Sequence, residues 1–372
     1  MKVLYDHQSF SGAKYGGIAR YFYDLMYNLK FHQHVDVDLA LLFSNNHYLQ
    51  NADIKKVIPF SFFLGYAKTN MMFSHINRFN SALKIARQDF DVFHPTYFKD
   101  YFQPFLGKKP FVITHHDVIP EKFSTQYASL DGFDKPQKQK ILDKAAKIIA
   151  VSENTKQDLL EIFSVAPEKI EVIYHSTHFA TYQITPGFDI ITPEKYLLYI
   201  GNRENYKNFD FFVKAITPLL KKDKDLYLVC GGNGSFSDLE QKMFAELKVG
   251  EKIIHQEIEN DDVLYRLYQK AIGFVYPSLY EGFGIPILEA FACGCPVALS
   301  DCSCFPEVAQ DAALYFKPDD EEQILYQIEQ LVNNAELRFD LIKKGYLRLK
   351  DFSPEITAQK TLEVYKSVVK KA

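Results

Sequence analysis

Short apolar bursts recur along the chain, and between them apolar residues return every three or four positions. That alternation predicts parallel strands joined by crossover helices. In the first half the bursts predict strands over 2–5, 35–43, 92–94, 111–114, 148–151 and 170–174. In the second half they predict strands over 196–200, 227–230, 253–255, 273–276 and 296–299, so each half reads as its own Rossmann-like sheet. The stretch 177–193, THFATYQITPGFDIITP, is irregular, holds two prolines and a glycine, and reads as the linker. The expected division is a first domain over 1–180, a second over 194–350 and a C-terminal helix over 351–372. In that helix Ala358, Leu362, Tyr365 and Val369 share one side, which predicts packing on a domain surface.

Length and composition narrow the class. A chain of 372 residues is too long for one ordinary core, and two domains imply a cleft. With 47% hydrophobic residues, 24% charged residues and a net charge of −4, disorder and wholesale nucleic-acid binding are excluded. No uninterrupted apolar run reaches the roughly 18–20 residues that span a bilayer, so a cytoplasmic protein is expected. The five cysteines all lie in the second half without a disulfide framework and are expected as free thiols. Ten of the 11 histidines lie before residue 190. The first 190 residues carry 21 basic against 19 acidic side chains and the remainder 22 against 28, so the halves differ in charge as well.

The densest chemistry lies in PSLYEGFGIPILEAFACGCPVALS, 277–300, where Glu281 and Glu289 flank a Gly-Phe-Gly turn. The strand over 273–276 precedes the turn, and Pro286 suits the first position of a following helix. Unpaired amides and the positive end of the helix dipole gather there and favour phosphate. Gly282 and Gly284 let the backbone touch a ligand. Each carboxylate accepts two hydrogen bonds, a match for vicinal sugar hydroxyls, so the pair can grip opposite ends of one ligand. An acid that merely stabilises the helix start, with a second on a solvated face, is the alternative. In the first half Tyr15-Gly16-Gly17 precedes a helix with Ile18, Phe22, Leu25, Met26 and Leu29 on one face. Its amides either face a diphosphate or only form a turn. His115-His116-Asp117 lies at a strand's carboxyl end, where open α/β sheets bind ligands.

EGFGIPILE, followed by AFACGCPVALSD and FPEV, resembles the carboxylate-glycine-carboxylate motif of the retaining glycosyltransferases of family four, with the two-domain GT-B fold. YGGIARYF, THHD, VSENTKQDLL and YIGNRENYKN stand in that family's order, so the resemblance covers most of the chain. It implies two Rossmann-like domains with parallel sheets facing a central cleft, and a C-terminal helix packed back on the first domain. It implies that Glu281 lies beside the transferred sugar, that Gly282, Phe283, Gly284 and Ile285 meet sugar and diphosphate, and that Glu289 holds the ribose. Lys207 matches the family's phosphate-binding lysine, while Tyr206 stands where an arginine is usual and Arg203 is the candidate for the missing charge. His116 matches the histidine that contacts the sugar, and Gly16 and Gly17 would approach the diphosphate. At 173–177 the chain has IYHST where the family usually has Asn-Gly after the strand.

The activity so implied moves a hexose, mannose, glucose or a related sugar, from a nucleoside diphosphate sugar to a glycan or lipid-linked glycan acceptor in cell-surface polysaccharide synthesis, by a front-face retaining mechanism. The donor is a substrate, and no cofactor is expected. The rivals are an epimerase of similar form and a non-catalytic sugar-nucleotide-binding relative. No metal site is expected. Cys293-x-Cys295 and Cys302-x-Cys304 have spacing too tight for structural zinc. Asp36-x-Asp38 alternates with apolar residues, so its acids are expected to face water. The aromatic, lysine-bearing segment 97–109, YFKDYFQPFLGKK, is the candidate for peripheral contact with the inner face of a membrane.

Overall fold

Every strand pair in the protein is parallel among the described residues. The strands are β1 (Lys2–Tyr5), β2 (Asp36–Leu39), β3 (Val92–His94), β4 (Val112–His115), β5 (Lys147–Ala150), β6 (Ile170–Val172), β7 (Lys195–Ile200), β8 (Leu226–Gly231), β9 (Ile253–Gln256), β10 (Gly273–Tyr276), β11 (Val297–Ser300) and β12 (Ala313–Phe316). The structure is a computed structural model that describes residues 1–12, 14–50, 53–60, 66–127, 135–232 and 234–370. The chain divides into a first unit of Met1–Lys122, Leu130–Ser176 and Pro354–Ala372, and a second of Phe123–Ser129 and Thr177–Ser353.

In the first unit the expected single sheet is two three-stranded pieces, β2-β1-β3 and β4-β5-β6. A lone bridge, Phe93 to Phe111, joins them, with the Phe93 amide donating to the Pro110 carbonyl at 3.1 Å. Neither Pro110 nor Pro95 has an amide to extend the ladder on its side of the bridge, which is why pairing stops there. Side chains take over: a His94 Nε2 to Thr114 Oγ1 hydrogen bond of 3.0 Å ties β3 to β4. Strand β2 is shorter than the apolar run from 35 to 43 suggests, because Asn77 Oδ1 captures the Leu42 and Phe43 amides and turns the chain away. The Gly17–Phe31 helix buries Phe22, Leu25, Met26 and Leu29, and the Pro354–Val369 helix packs beside it with Ala358, Leu362, Tyr365 and Val368 buried. Residues 371 and 372 lie outside the described residues.

Strand order in the second unit is β12-β11-β10-β7-β8-β9. Strand β12 escapes the sequence pattern; it is a four-residue edge strand whose Leu314 and Tyr315 stay half-buried, too short and too exposed to register as a burst. Residues 177–193 belong to this unit rather than standing between the two. Tyr182 donates to Asp262 Oδ1 at 2.7 Å, and Arg266 holds the Phe188 carbonyl at 2.8 Å and 3.0 Å, both from the Asp261–Lys270 helix.

Tyr365 is the polar tie between the last helix and the first strands. Its hydroxyl meets His94 Nδ1 at 2.6 Å and the Tyr5 hydroxyl at 2.8 Å, all three residues buried. Tyr365→Phe strands both partners in an apolar interior and is predicted to cost about 1–3 kcal/mol in urea denaturation. An unchanged midpoint would mean that water or another group replaces the hydroxyl.

Candidate functional site

In open parallel sheets, ligands gather at the carboxyl ends of strands where the order reverses, because the loops on either side part there. In the second unit that point lies between β7 and β10. Lys207 comes from the loop after β7 and Glu281 from the loop after β10, and the ammonium meets Glu281 Oε1 at 2.5 Å. Both side chains are nearly buried, at 13% and 10% exposure, so little water screens the pair. Asn205 and Asn208 bracket Lys207 in left-handed conformation, at φ 56° and 59°, which Asn tolerates better than most residues. Asn208 also donates to the Pro318 carbonyl at 2.8 Å, fixing the loop. The Lys207 ammonium lies 5.3 Å from the Tyr276 ring centroid and 5.1 Å from that of Tyr206, the residue that replaces the usual arginine.

The Glu281 backbone is held from both sides, its amide by Ser303 Oγ at 3.2 Å and its carbonyl by Cys304 Sγ at 3.3 Å. Gly284 has φ +90°, and a Cβ there would sit 3.1 Å from Ile287 and 3.2 Å from Phe305, so both conformation and space require glycine. The helix Ile285–Ala292 begins at Ile285, which puts Pro286 in its second position rather than its first. Gly282 is buried and Ile285 half-buried. The Phe283 ring is buried edge-on against Phe352 at 5.8 Å, which leaves its backbone, the part expected to meet the donor, as the part that can do so. Glu289, on the same helix, accepts from the buried Tyr268 hydroxyl at 3.0 Å. The two acids of the motif thus have separate partners.

Arg203 does not supply the missing charge beside Lys207. Its guanidinium is buried, with Nε on Glu240 Oε1 at 2.6 Å and its other nitrogens on the carbonyls of Gly232, Gly234 and Ser235 at 3.0–3.2 Å. It clamps the loop after β8 against the loop after β7. A cavity of about 800 Å³ opens beside this clamp, with Asn205, Asn208, Asp210 and Lys214 in its wall; Glu281 and Glu289 do not line it.

In the first unit His116 follows β4, and its Nδ1 lies 3.3 Å from Nε2 of His175, which follows β6. The two rings stack at 15° with Tyr21 edge-on to both. His175 belongs to the segment 173–177 that departs from the family pattern, so the unusual turn supplies the partner of His116. Burial pushes His116 down to about 3 and His94 to about 3, and holds His115 and His175 well below the ordinary value. Gly16 and Gly17 are exposed at the start of the Gly17–Phe31 helix, and a Cβ added at either would meet nothing within 4 Å. Asp38 does not simply face water: it is half-buried and paired with Lys84 at 2.6 Å. Among the described residues no three His, Cys, Asp or Glu side chains group as metal ligands, and all five cysteines are free thiols. In the segment 97–109, Phe98, Tyr101 and Phe102 belong to the core, and Phe105 is its exposed aromatic ring.

Residues 184–348 match the family described as glycosyl transferases group 1, and residues 15–178 match glycosyltransferase family 4. An O-antigen chain mannosyltransferase of Salmonella typhimurium is 32% identical over 237 residues, 61% of this chain and 65% of that protein. A Campylobacter jejuni enzyme named as an N-acetylgalactosamine-N,N'-diacetylbacillosaminyl-diphospho-undecaprenol 4-alpha-N-acetylgalactosaminyltransferase is 27% identical over 223 residues, 59% of this chain and 60% of that one. The matched stretch therefore spans less than two thirds of either relative. Anabaena HepE, solved in complex with UDP and glucose, superposes with a TM-score of 0.73 over 98% of this chain and 99% of that chain at 14% identity, a likeness of fold, that of GT-B.

Four buried histidines of the first unit, His94, His115, His116 and His175, give it a pH dependence. They are neutral when folded and regain the ordinary value of 6.5 when unfolded, so on acidification the unfolded chain binds protons first. The stability they contribute is whole above pH 6.5 and is lost as the pH falls toward about 3. Urea denaturation followed by circular dichroism is predicted to show the first unit weakening below about pH 6.5, by up to about 1.4 kcal/mol per pH unit for each ring. A stability flat down to about pH 4.5 would show that these rings are charged in the folded protein.

Proposed function

This chain belongs to the group 1 glycosyltransferases of family four, and we propose that it moves a hexose from a nucleoside diphosphate sugar to a glycan or lipid-linked glycan acceptor, with retention of anomeric configuration. The observation that carries this reading is the Lys207–Glu281 pair at the switch point of the second unit, beside a glycine turn that opens a helix. Mannose is the first sugar to test, since the Salmonella relative is named for it, and the Campylobacter relative's name supports a diphospho-lipid acceptor in cell-surface polysaccharide synthesis.

An ammonium has three donors, so Lys207 can keep Glu281 and still take a phosphate oxygen. As a diphosphate binds, it takes another of those donors, and Glu281, still held, accepts from sugar hydroxyls with its remaining lone pairs. The amides at Ile285 and beyond stabilise the departing diphosphate, where negative charge grows in the transition state. Glu289, steadied by Tyr268, takes the ribose hydroxyls. The leaving phosphate takes the acceptor's proton.

The test is a panel of UDP and GDP sugars, assayed for binding and then for transfer to a lipid-linked glycan. Glu281→Gln should nearly abolish transfer while leaving nucleotide affinity almost unchanged; Glu289→Ala should weaken nucleotide binding by about 1–3 kcal/mol. Equal loss of nucleotide affinity in both variants would sink this division of labour, and donor turnover without acceptor would mean an epimerase.

Transfer is also predicted to proceed without a divalent ion, since Lys207 and the helix amides supply the positive charge that magnesium would otherwise bring. With Arg203 committed to Glu240, this rests on Lys207 more heavily than the sequence implies. Initial rates after exhaustive EDTA treatment, with and without added magnesium or manganese, decide it. A rate that collapses and returns with metal would overturn the account.

A further inference from the structure

The helix Tyr66–Ala86 in the first unit faces the opposite way from an ordinary surface helix. Its inward side is Phe73, Asn77, Ser81 and Ile85, four buried residues of which two are polar. Those two are used by the fold: Asn77 accepts the Leu42 and Phe43 amides, and Ser81 donates to the Ala40 carbonyl at 2.7 Å. Its outward side is Met72, Ile76, Phe79 and Leu83, at 52%, 37%, 65% and 47% exposure, with Met71 at 63% on the shoulder. The spacing of four, three and four residues makes one continuous apolar strip. Single exposed apolar residues are common, but a row of four over three turns marks a surface that something covers.

The charges say what covers it. None of the helix's 21 residues is acidic. His75 and Arg87 are exposed beside the strip, Arg78 lies over the ring of the buried Tyr101, and Asp89 just past the helix is already paired with Lys2 at 2.7 Å. At the helix end Gln88 donates to the Phe105 carbonyl at 2.8 Å, and Phe105 and Lys108 are exposed there. A second copy of this helix docked on a two-fold axis would set these bases against their own images with no acid to offset them. An anionic bilayer offers what the strip lacks, acyl chains for Met, Ile, Phe and Leu and phosphates for the flanking bases.

We propose that the outward face of the Tyr66–Ala86 helix, with Phe105 and Lys108, seats this protein on an anionic lipid surface. The helix lies in the plane of the headgroups, its apolar strip among the upper acyl chains. The proposal extends the reading of a lipid-linked acceptor but rests on observations independent of the donor site.

The experiment is co-sedimentation of the full chain, without substrates, with phosphatidylcholine vesicles containing about a third phosphatidylglycerol. Phe79→Gln with Leu83→Gln should lower the partition coefficient at least tenfold, about what losing two buried apolar side chains implies. Both positions are exposed, so the circular dichroism melt should not change. Arg87→Gln with Lys108→Gln should weaken binding at low salt and flatten its salt dependence. Wild-type protein that does not bind, binding equal in both pairs of variants to the wild type, or a dimer that Phe79→Gln with Leu83→Gln dissociates would each overturn the proposal. Transfer to a water-soluble acceptor separates the two readings: it should survive Phe79→Gln with Leu83→Gln if the enzymatic reading holds.

Discussion

Parallel pairing is the constraint on which the rest depends. A parallel neighbour can be reached only by crossing back along the sheet, so all strands of a unit end at the same edge and the loops that leave them are neighbours in space. Lys207 and Glu281, 74 residues apart in sequence, become an ion pair for this reason. The order β10-β7-β8 parts their loops, and the left-handed residues Asn205, Asn208 and Gly284 bend each loop back over the strand ends. The same rule, applied to β4-β5-β6, brings His116 and His175 together over the end of β5.

Much of this is legible in the sequence because it shows as an interruption of pattern. Glu281, Glu289 and the two glycines break an otherwise apolar run, and Lys207 follows a strong strand. The two histidines before Asp117 likewise stand at the end of one. What sequence does not carry is the effect of one loop on another. Arg203 reads as available, yet the loop after β8 offers it three carbonyls and the helix that follows offers Glu240. His175 reads as a lost glycine turn and is the neighbour of His116. Tyr276 and Tyr268, which touch or steady the site, sit in positions that strands and helices fill with core residues, and no local signal separates them from that core; Ser303 lies in the turn after β11.

The Tyr66–Ala86 helix shows a second limit. Periodicity finds an apolar stripe but carries no sign for inside or outside, and here the inward face is partly polar because Asn77 and Ser81 satisfy backbone groups where β2 stops. The segment 97–109 has the complementary problem. Its rings read as a membrane anchor, yet most of them fill the interior, and Phe105 is left at the surface beside that helix.

The tie between Tyr365, His94 and Tyr5 has a consequence for biosynthesis. A chain emerging from the ribosome exposes its N-terminal strands first, but their core lacks Ala358, Leu362 and Tyr365 until the last helix has emerged. The second unit, Thr177–Ser353 with a short earlier segment, is made before that helix and can close its six-stranded sheet ahead of it. The first unit, whose strands precede the second unit in the chain, is therefore completed after it, and a nascent chain from which residues up to 353 have emerged but the Pro354–Val369 helix has not carries a second unit free to close and an open first one.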